Sequence, residues 1–320
     1  MGAPAAGRGL AAAVLLQAAV AAAAAGDDAR LWLDRMAEAL RRLDYEGVFV
    51  YRHGGGMTTM ALVHGRVGGV ERERLYALDG APREIVRDGD GLTYVLPDGG
   101  AVRIPEGVPP ATLGWRLAGG LDAVEAGYRL HTAGEGRVAG RRAVVVAIEP
   151  RDRYRYGYRL WLDREHALPL RVELREGGRV LETVLFTSLR VGGAIPRERF
   201  EAAPGGTRLR MHEVPAAGPQ ADPGRWRLGR LPPGFRLVGR GMTRLPGAGD
   251  EAVHLLISDG LAAVSVYVEE AGAAGGLEGL VRMGAVSAYG RILDGHRVTA
   301  VGEVPPPTVR MVAEGIEEGG

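Results

Sequence analysis

Between residues 28 and 44 the apolar side chains Trp32, Met36, Leu40 and Leu43 recur at helical spacing, which predicts an amphipathic helix with Asp27 or Asp28 as its cap. Past Gly47 the period drops to two. Strands are predicted at 48–52, 58–64, 70–77, 83–87, 92–96 and 101–104, punctuated by turn signals such as Asp79-Gly80 and Asp90-Gly91. Pro109 to Ala118 reads as a short helix opened by proline. Alternation resumes at 127–131, 143–149, 154–163, 170–175 and 180–189. A single helix followed by a long antiparallel meander predicts a curved sheet whose concave face must be covered.

From Pro204 to Gly224 the alternation lapses into Pro, Gly, Ala and Gln, the texture of a linker. A smaller unit then opens at Trp226, with Leu231-Pro-Pro-Gly-Phe235 near its start. Its strands are predicted at 252–257, 261–268, 285–291 and 297–302, and a closing helix at 308–316 follows Pro305-Pro306-Pro307. The expected domains are 26–205 and 226–320 joined by a 206–225 linker. The fold class is α+β.

The first 25 residues stand apart from both domains. Arg8, the apolar run from Leu10 to Val20 and Ala23-Ala24-Ala25 make up the three regions of a cleaved secretory signal. The chain has no cysteine, which excludes a disulfide framework and thiolate metal sites. Without Arg8 the mature chain carries 39 arginines against 39 acids, and lysine and asparagine are both absent. A zero net charge argues against bulk nucleic-acid binding.

Catalytic signatures are missing. The four serines lie outside any G-x-S-x-G elbow, and no phosphate or dinucleotide loop occurs. The seven histidines include no H-x-x-x-H pair, although His53 and His64 are placed to meet across the first hairpin. The expectation is a binding protein without enzyme activity, cofactor or resident metal.

Three segments carry candidate binding chemistry. Read with period two, 151–163 puts Arg151, Arg153, Arg155 and Arg159 on one face and Tyr154, Tyr156, Tyr158 and Leu160 on the other. The arginines form either a solvated face or a row of guanidinium forks for anions. The 57–64 strand aligns Met60, Leu62 and His64, and Trp115 and Leu117 sit in the short helix; each is either core or wall of a lipid-like groove. The third segment, 259–268, opens on Asp259-Gly260-Leu261 and continues through Val264 and Val266. It is either the central strand of the small unit or a peptide-docking surface.

Several motifs, in order and spacing, resemble one family. They are Leu40-Arg-Arg-Leu-Asp-Tyr-Glu-Gly-Val-Phe-Val-Tyr51, Leu78-Asp-Gly-Ala-Pro-Arg-Glu84, Arg137-Val-Ala-Gly-Arg141, the Arg153–Asp163 run with Leu168-Pro169-Leu170, Leu231-Pro-Pro-Gly-Phe235, Ser258-Asp-Gly-Leu261 with Val264-Ser-Val266, and Val301-Gly-Glu-Val-Pro305. On these the chain is similar to the RseB/MucB family of periplasmic regulators of envelope-stress sigma factors. The likeness runs from about Leu33 to Ile316 and departs from the family pattern at Thr58 and Ala61.

The resemblance implies a large LolA/LolB-like antiparallel half-barrel with covering helices and a smaller C-terminal α+β domain. It implies a periplasmic protein that binds the periplasmic segment of a RseA/MucA-like anti-sigma factor. Bound there, it shields its partner from regulated proteolysis until lipopolysaccharide or lipid-type signals release it. Lipid or lipoprotein acyl chains would meet Met60, Leu62, Trp115, Arg153, Arg155 and Arg159. The partner would meet Asp259, Gly260, Leu261, Val264 and Val266. Homodimer formation stays open, and the alternative is a lipid or lipoprotein carrier built on the same half-barrel.

Overall fold

A computed structural model of the chain describes residues 28–89, 91–95, 100–105, 121–201, 210–213, 225–244, 251–272 and 276–319. The expected signal segment and the short helix with Trp115 and Leu117 lie outside the described residues.

The first helix, α1, spans 28–42. It buries Ala29, Leu33, Met36 and Ala39, with Trp32 and Leu40 at the margins of the stripe. The meander follows as β1 (Tyr45–His53), β2 (Gly56–Val67), β3 (Val70–Ala77), β4 (Glu84–Asp88), β5 (Gly91–Val95) and β6 (Gly100–Pro105). Helix α2 (Leu121–Gly127) precedes β7 (Tyr128–Val138), β8 (Arg141–Pro150), β9 (Gly157–Asp163), β10 (Pro169–Glu176) and β11 (Arg179–Val191). These strands and β12 (Arg210–Glu213) form one twelve-stranded sheet in the order β12-β6-β5-β4-β3-β2-β1-β11-β10-β9-β8-β7. Its single parallel contact joins β12 to β6, inside the stretch expected to be linker.

The remainder is β13 (Trp226–Leu228), β14 (Arg236–Arg244), β15 (Glu251–Ser258), β16 (Ala263–Glu270), β17 (Gly279–Met283), β18 (Val286–Leu293), β19 (His296–Gly302), helix α3 (Pro306–Glu314) and β20 (Ile316–Glu318). Six of these strands make an antiparallel sheet ordered β14-β15-β16-β19-β18-β17, while β13 and β20 pair separately. The sequence reading lacks the β13–β20 pair and two strands of the six-stranded sheet, β14 and β17, which are its edges. Gly239 and Gly241 break the alternation in one, and no residue of the other is buried. Proline opens α3 at its first turn, as expected, and Val309, Val312 and Ala313 seal it against Leu255, Val264 and Val266.

The long strand expected at 154–163 begins only at Gly157. Residues 151–155 turn instead, and Asp152 Oδ1 holds the turn by accepting from the Tyr154 amide at 2.9 Å. The four-arginine stripe is therefore broken at its root.

Candidate ligand-binding site

On the concave face of the large sheet, hairpin register sets the wall. Phe49 lies opposite Met60, Gly47 opposite Leu62 and Tyr45 opposite His64. Across the next pair Leu62 meets Leu75 and His64 meets Glu73. The expected common face of Met60, Leu62 and His64 is present. Gly47 is required there, since a Cβ on it would sit 2.5 Å from the Ser188 carbonyl oxygen and 3.0 Å from the Phe186 ring.

These walls enclose a cavity of about 540 Å³, within the range of small-ligand pockets. Apolar groups dominate it: Phe49, Met60, Leu62 and Leu75 from the first strands, Leu174 and Phe186 from the later ones. Met36 and Leu40 of α1 cover one end. Near Tyr51, at the far end of β1, Val286 and Glu303 of the small unit reach in. The cavity is thus bounded by both units of the chain.

Its polar groups are few. Tyr51 donates to Glu182 Oε2 at 2.6 Å, and burial followed by that bond pushes the Tyr51 phenol well up. Glu73 is buried, and burial raises its carboxyl above the ordinary value against the pull of His64 and Arg87. Behind it, His64 stacks on Tyr45 with ring centroids 4.7 Å apart. Its Nδ1 faces the Leu43 carbonyl oxygen at 2.9 Å and its Nε2 faces Glu71 at 3.5 Å. Burial alone would lower the His64 value; the bond to Glu71, the nearby Glu73 and the Leu43 carbonyl outweigh it, and the net shift is upward.

His53 and His64 do not meet. His53 pairs with Gly56 beside the turn and His64 with Tyr45, eight positions along β1 and so about 26 Å away. A different cluster, Asp163, Glu165 and His166, brings potential ligand atoms within 4.8 Å of one another. Arg141 Nη2 already serves it, at 2.8 Å from Asp163 and 2.9 Å from His166 Nδ1.

The arginines have separate fates. Arg153 is exposed and lies over the Tyr154 ring. Arg159 is half-buried in β9 opposite Glu173. Arg155 is 3% exposed, which removes it from any lipid-facing surface. Its Nε donates to Asp259 Oδ2 at 2.6 Å, Nη1 pairs with Asp152, and Nη2 donates to the Pro233 carbonyl. Tyr128 and Phe235 flank the guanidinium at 5.6 and 5.0 Å. Gly127 leaves it room, since a Cβ there would fall 2.6 Å from Nε.

Asp259 cannot serve as an exposed partner contact either. It is 1% exposed, and its Oδ1 accepts from the Leu261 and Ala262 amides at 2.9 and 2.7 Å. Gly260 abuts Ala123, and Leu261 enters the same core as Leu33 and Tyr156. Val264 and Val266 are fully buried under α3. Three motifs that carry the family likeness therefore converge on one seam inside the molecule. The Thr308 hydroxyl donating to Tyr154 O at 2.7 Å and Arg282 pairing with Glu176 at 2.8 Å extend that seam.

Glu73, Tyr51, Glu182 and Glu303 were not singled out from the sequence. The signal for Glu73 was present: a period of two places Glu71, Glu73 and Leu75 on one face of β3.

Comparison with known proteins gives a consistent result. The family model for the MucB/RseB N-terminal domain matches residues 28–204, and that for the MucB/RseB C-terminal domain matches 220–317. The sigma factor AlgU regulatory protein MucB of Pseudomonas aeruginosa is 38% identical over 305 residues, 89% of this chain and 90% of that protein. The sigma-E factor regulatory protein RseB of Escherichia coli is 29% identical over 298 residues, covering 90% of each. A solved complex of Pseudomonas aeruginosa MucA/MucB superposes with a TM-score of 0.74 at 34% identity, over 92% of this chain and 99% of that one. A structure of MucB with MucA(peri) gives a TM-score of 0.71 at 34% identity, over 91% and 99%.

Proposed function

The chain belongs to the MucB/RseB family, and we propose that it is a periplasmic sensor and negative regulator that binds the periplasmic segment of a membrane anti-sigma factor. While bound, it shields that segment from regulated proteolysis. Amphiphiles of the lipopolysaccharide or lipid type release it. The relatives' names, sigma factor regulatory proteins, and the solved MucA/MucB complexes support the partner half of this reading.

The observation that carries the sensor half is the composition of the cavity wall. A chain-like ligand against Phe49, Met60 and Leu75 also touches Val286 and Glu303 of the small unit. Occupancy and the seating of that unit are then one equilibrium. A ligand that favours one seating weakens whatever favours the other, by its differential affinity for the two. The exposed apolar residues of β17, Leu280, Val281 and Met283, lie on a sheet edge where an extended segment can add as a further strand. No step of this scheme needs catalysis.

Calorimetric titration of the mature chain with the periplasmic segment of its cognate anti-sigma factor, with and without lipopolysaccharide, tests the reading. Binding weakened about tenfold or more by the amphiphile is the expected result, a coupling of ordinary allosteric size. Retained lipid with no affinity for the segment would instead identify a lipid carrier.

A further inference from the structure

The polar groups lining the cavity share a sign. Glu73 stands toward the α1 end, Glu182 and Glu303 toward the small unit, and Tyr51 and Thr183 add hydroxyls. The chain contains 40 arginines, yet among the described residues none lines this cavity. Among the described residues no cationic side chain lines the cavity to receive a phosphate or a carboxylate.

Within this set Glu73 is distinctive. It is 8% exposed, its carboxyl faces an apolar void, and among the described residues it makes no hydrogen bond or ion pair. Glu182, by contrast, accepts the Tyr51 hydroxyl at 2.6 Å. A buried carboxyl without a partner costs free energy that a ligand can return by supplying one. Register places Glu73 between His64 and Arg87, while the neighbouring wall positions on the same strands, Leu62 and Leu75, are plain hydrocarbon. Burial also raises the carboxyl's value, so it can meet a ligand either as an acceptor or as a neutral acid.

We propose that Glu73 is a specificity-determining residue of the cavity: it receives a hydrogen-bond donor on an otherwise apolar chain, so the cavity takes alkyl or acyl amphiphiles bearing an ammonium or hydroxyl group and rejects those that would bring a phosphate or carboxylate inside. The inference rests on the lipid reading above and narrows it. An anionic amphiphile that acts here inserts hydrocarbon and keeps its phosphates outside. Rejection is electrostatic, since an entering anion meets the carboxyl groups of Glu73 and Glu182, and among the described residues no lysine or arginine lines the cavity.

The test is displacement of the neutral dye N-phenyl-1-naphthylamine from the chain beginning at Gly26 by decylamine, decanol and decyl phosphate. Decylamine is expected to bind at least about tenfold more tightly than decyl phosphate, with decanol between them. In Glu73→Leu that ratio should collapse towards one while the dye still binds. Glu73→Gln, which keeps an acceptor oxygen, should retain decanol. The proposal is overturned by an unchanged ratio in Glu73→Leu, or by loss of the ratio in Glu182→Gln alone, which would assign selection to the other end. Equal affinity of the wild-type chain for decylamine and decyl phosphate overturns it without any variant. Failure of the dye and all three decyl compounds to bind would sink the lipid reading itself, a different result from loss of selectivity.

Discussion

The six-stranded sheet packs Leu255, Ile257, Val264 and Val266 directly under α3, whereas the twelve-stranded sheet leaves Phe49, Leu62, Leu75 and Phe186 around an open cavity. Geometry explains the contrast. Twelve strands at about 4.8 Å spacing span roughly 53 Å, and α1, fifteen residues long, covers about 22 Å of that. Six strands span about 24 Å, a width that α3 and the β13–β20 pair largely cover. The wide sheet accordingly keeps its apolar residues in separate clusters with space between them, and the narrow one has a single continuous core. Among the described residues, then, the cavity lies where the wide sheet extends beyond its helical cover.

The sharpest way to break this comparison is to cut the seam between the two. Asp259→Ala leaves the Arg155 guanidinium buried without its closest anion, and a loss of about 3–5 kcal/mol is expected in urea unfolding. Replacing both partners with apolar residues should recover much of that loss. Next comes the filled core against the open one. Leu255→Ala should cost about 2–5 kcal/mol, because a dense core cannot close the hole, while Leu62→Ala on the cavity wall should cost about 1 kcal/mol.

A smaller, pH-dependent effect separates the two environments further. The raised Glu73 value means the folded chain holds that proton more tightly than the unfolded chain, whose carboxyl titrates near 4.5. Its contribution is greatest below that pH and is lost as pH rises through the folded value. Glu73→Gln should therefore raise the melting temperature at pH 7 and match wild type near pH 4. His64, also raised, loses its own contribution as pH climbs past 6.5 towards its folded value, and Glu71, lowered chiefly by its bond to His64, loses its contribution in acid. Because Glu73 also helps to raise His64, the difference between the wild-type and Glu73→Gln melting curves reports Glu73 together with its coupling to His64. The smallest effect belongs to Arg153→Ala, an exposed side chain expected to change stability by no more than about 0.5 kcal/mol.

Much of the fold was legible because it is local. The stripe of α1, the alternation of β1–β6 and the prolines before α3 each state their structure within a dozen residues. What failed was non-local. A period of two across 151–159 looks like a strand, but a turn held by Asp152 and a salt bridge to a residue more than a hundred positions away decide where Arg155 points. Asp259 and Leu261 read either as the root of a central strand or as a surface offered to a partner, and the structure packs them against the other half of the same chain. Met60 and Leu62 were found because hydrocarbon on a predicted concave face needs no distant information. Glu73 was passed over because acids flanked by arginines in Glu71-Arg-Glu-Arg74 look solvated.

The parallel strand β12 limits how far the small unit can travel. It fastens the connector to β6, at the edge of the large sheet farthest from β7, so that only the twelve peptide steps from Glu213 to Arg225 lie between that anchor and the small unit. Fully drawn out, such a leash reaches about 40 Å. If the Arg155–Asp259 seam opens, the small unit stays within that radius, and its effective concentration at the vacated surface remains high. Re-docking then competes, as an intramolecular event, with any partner arriving from solution.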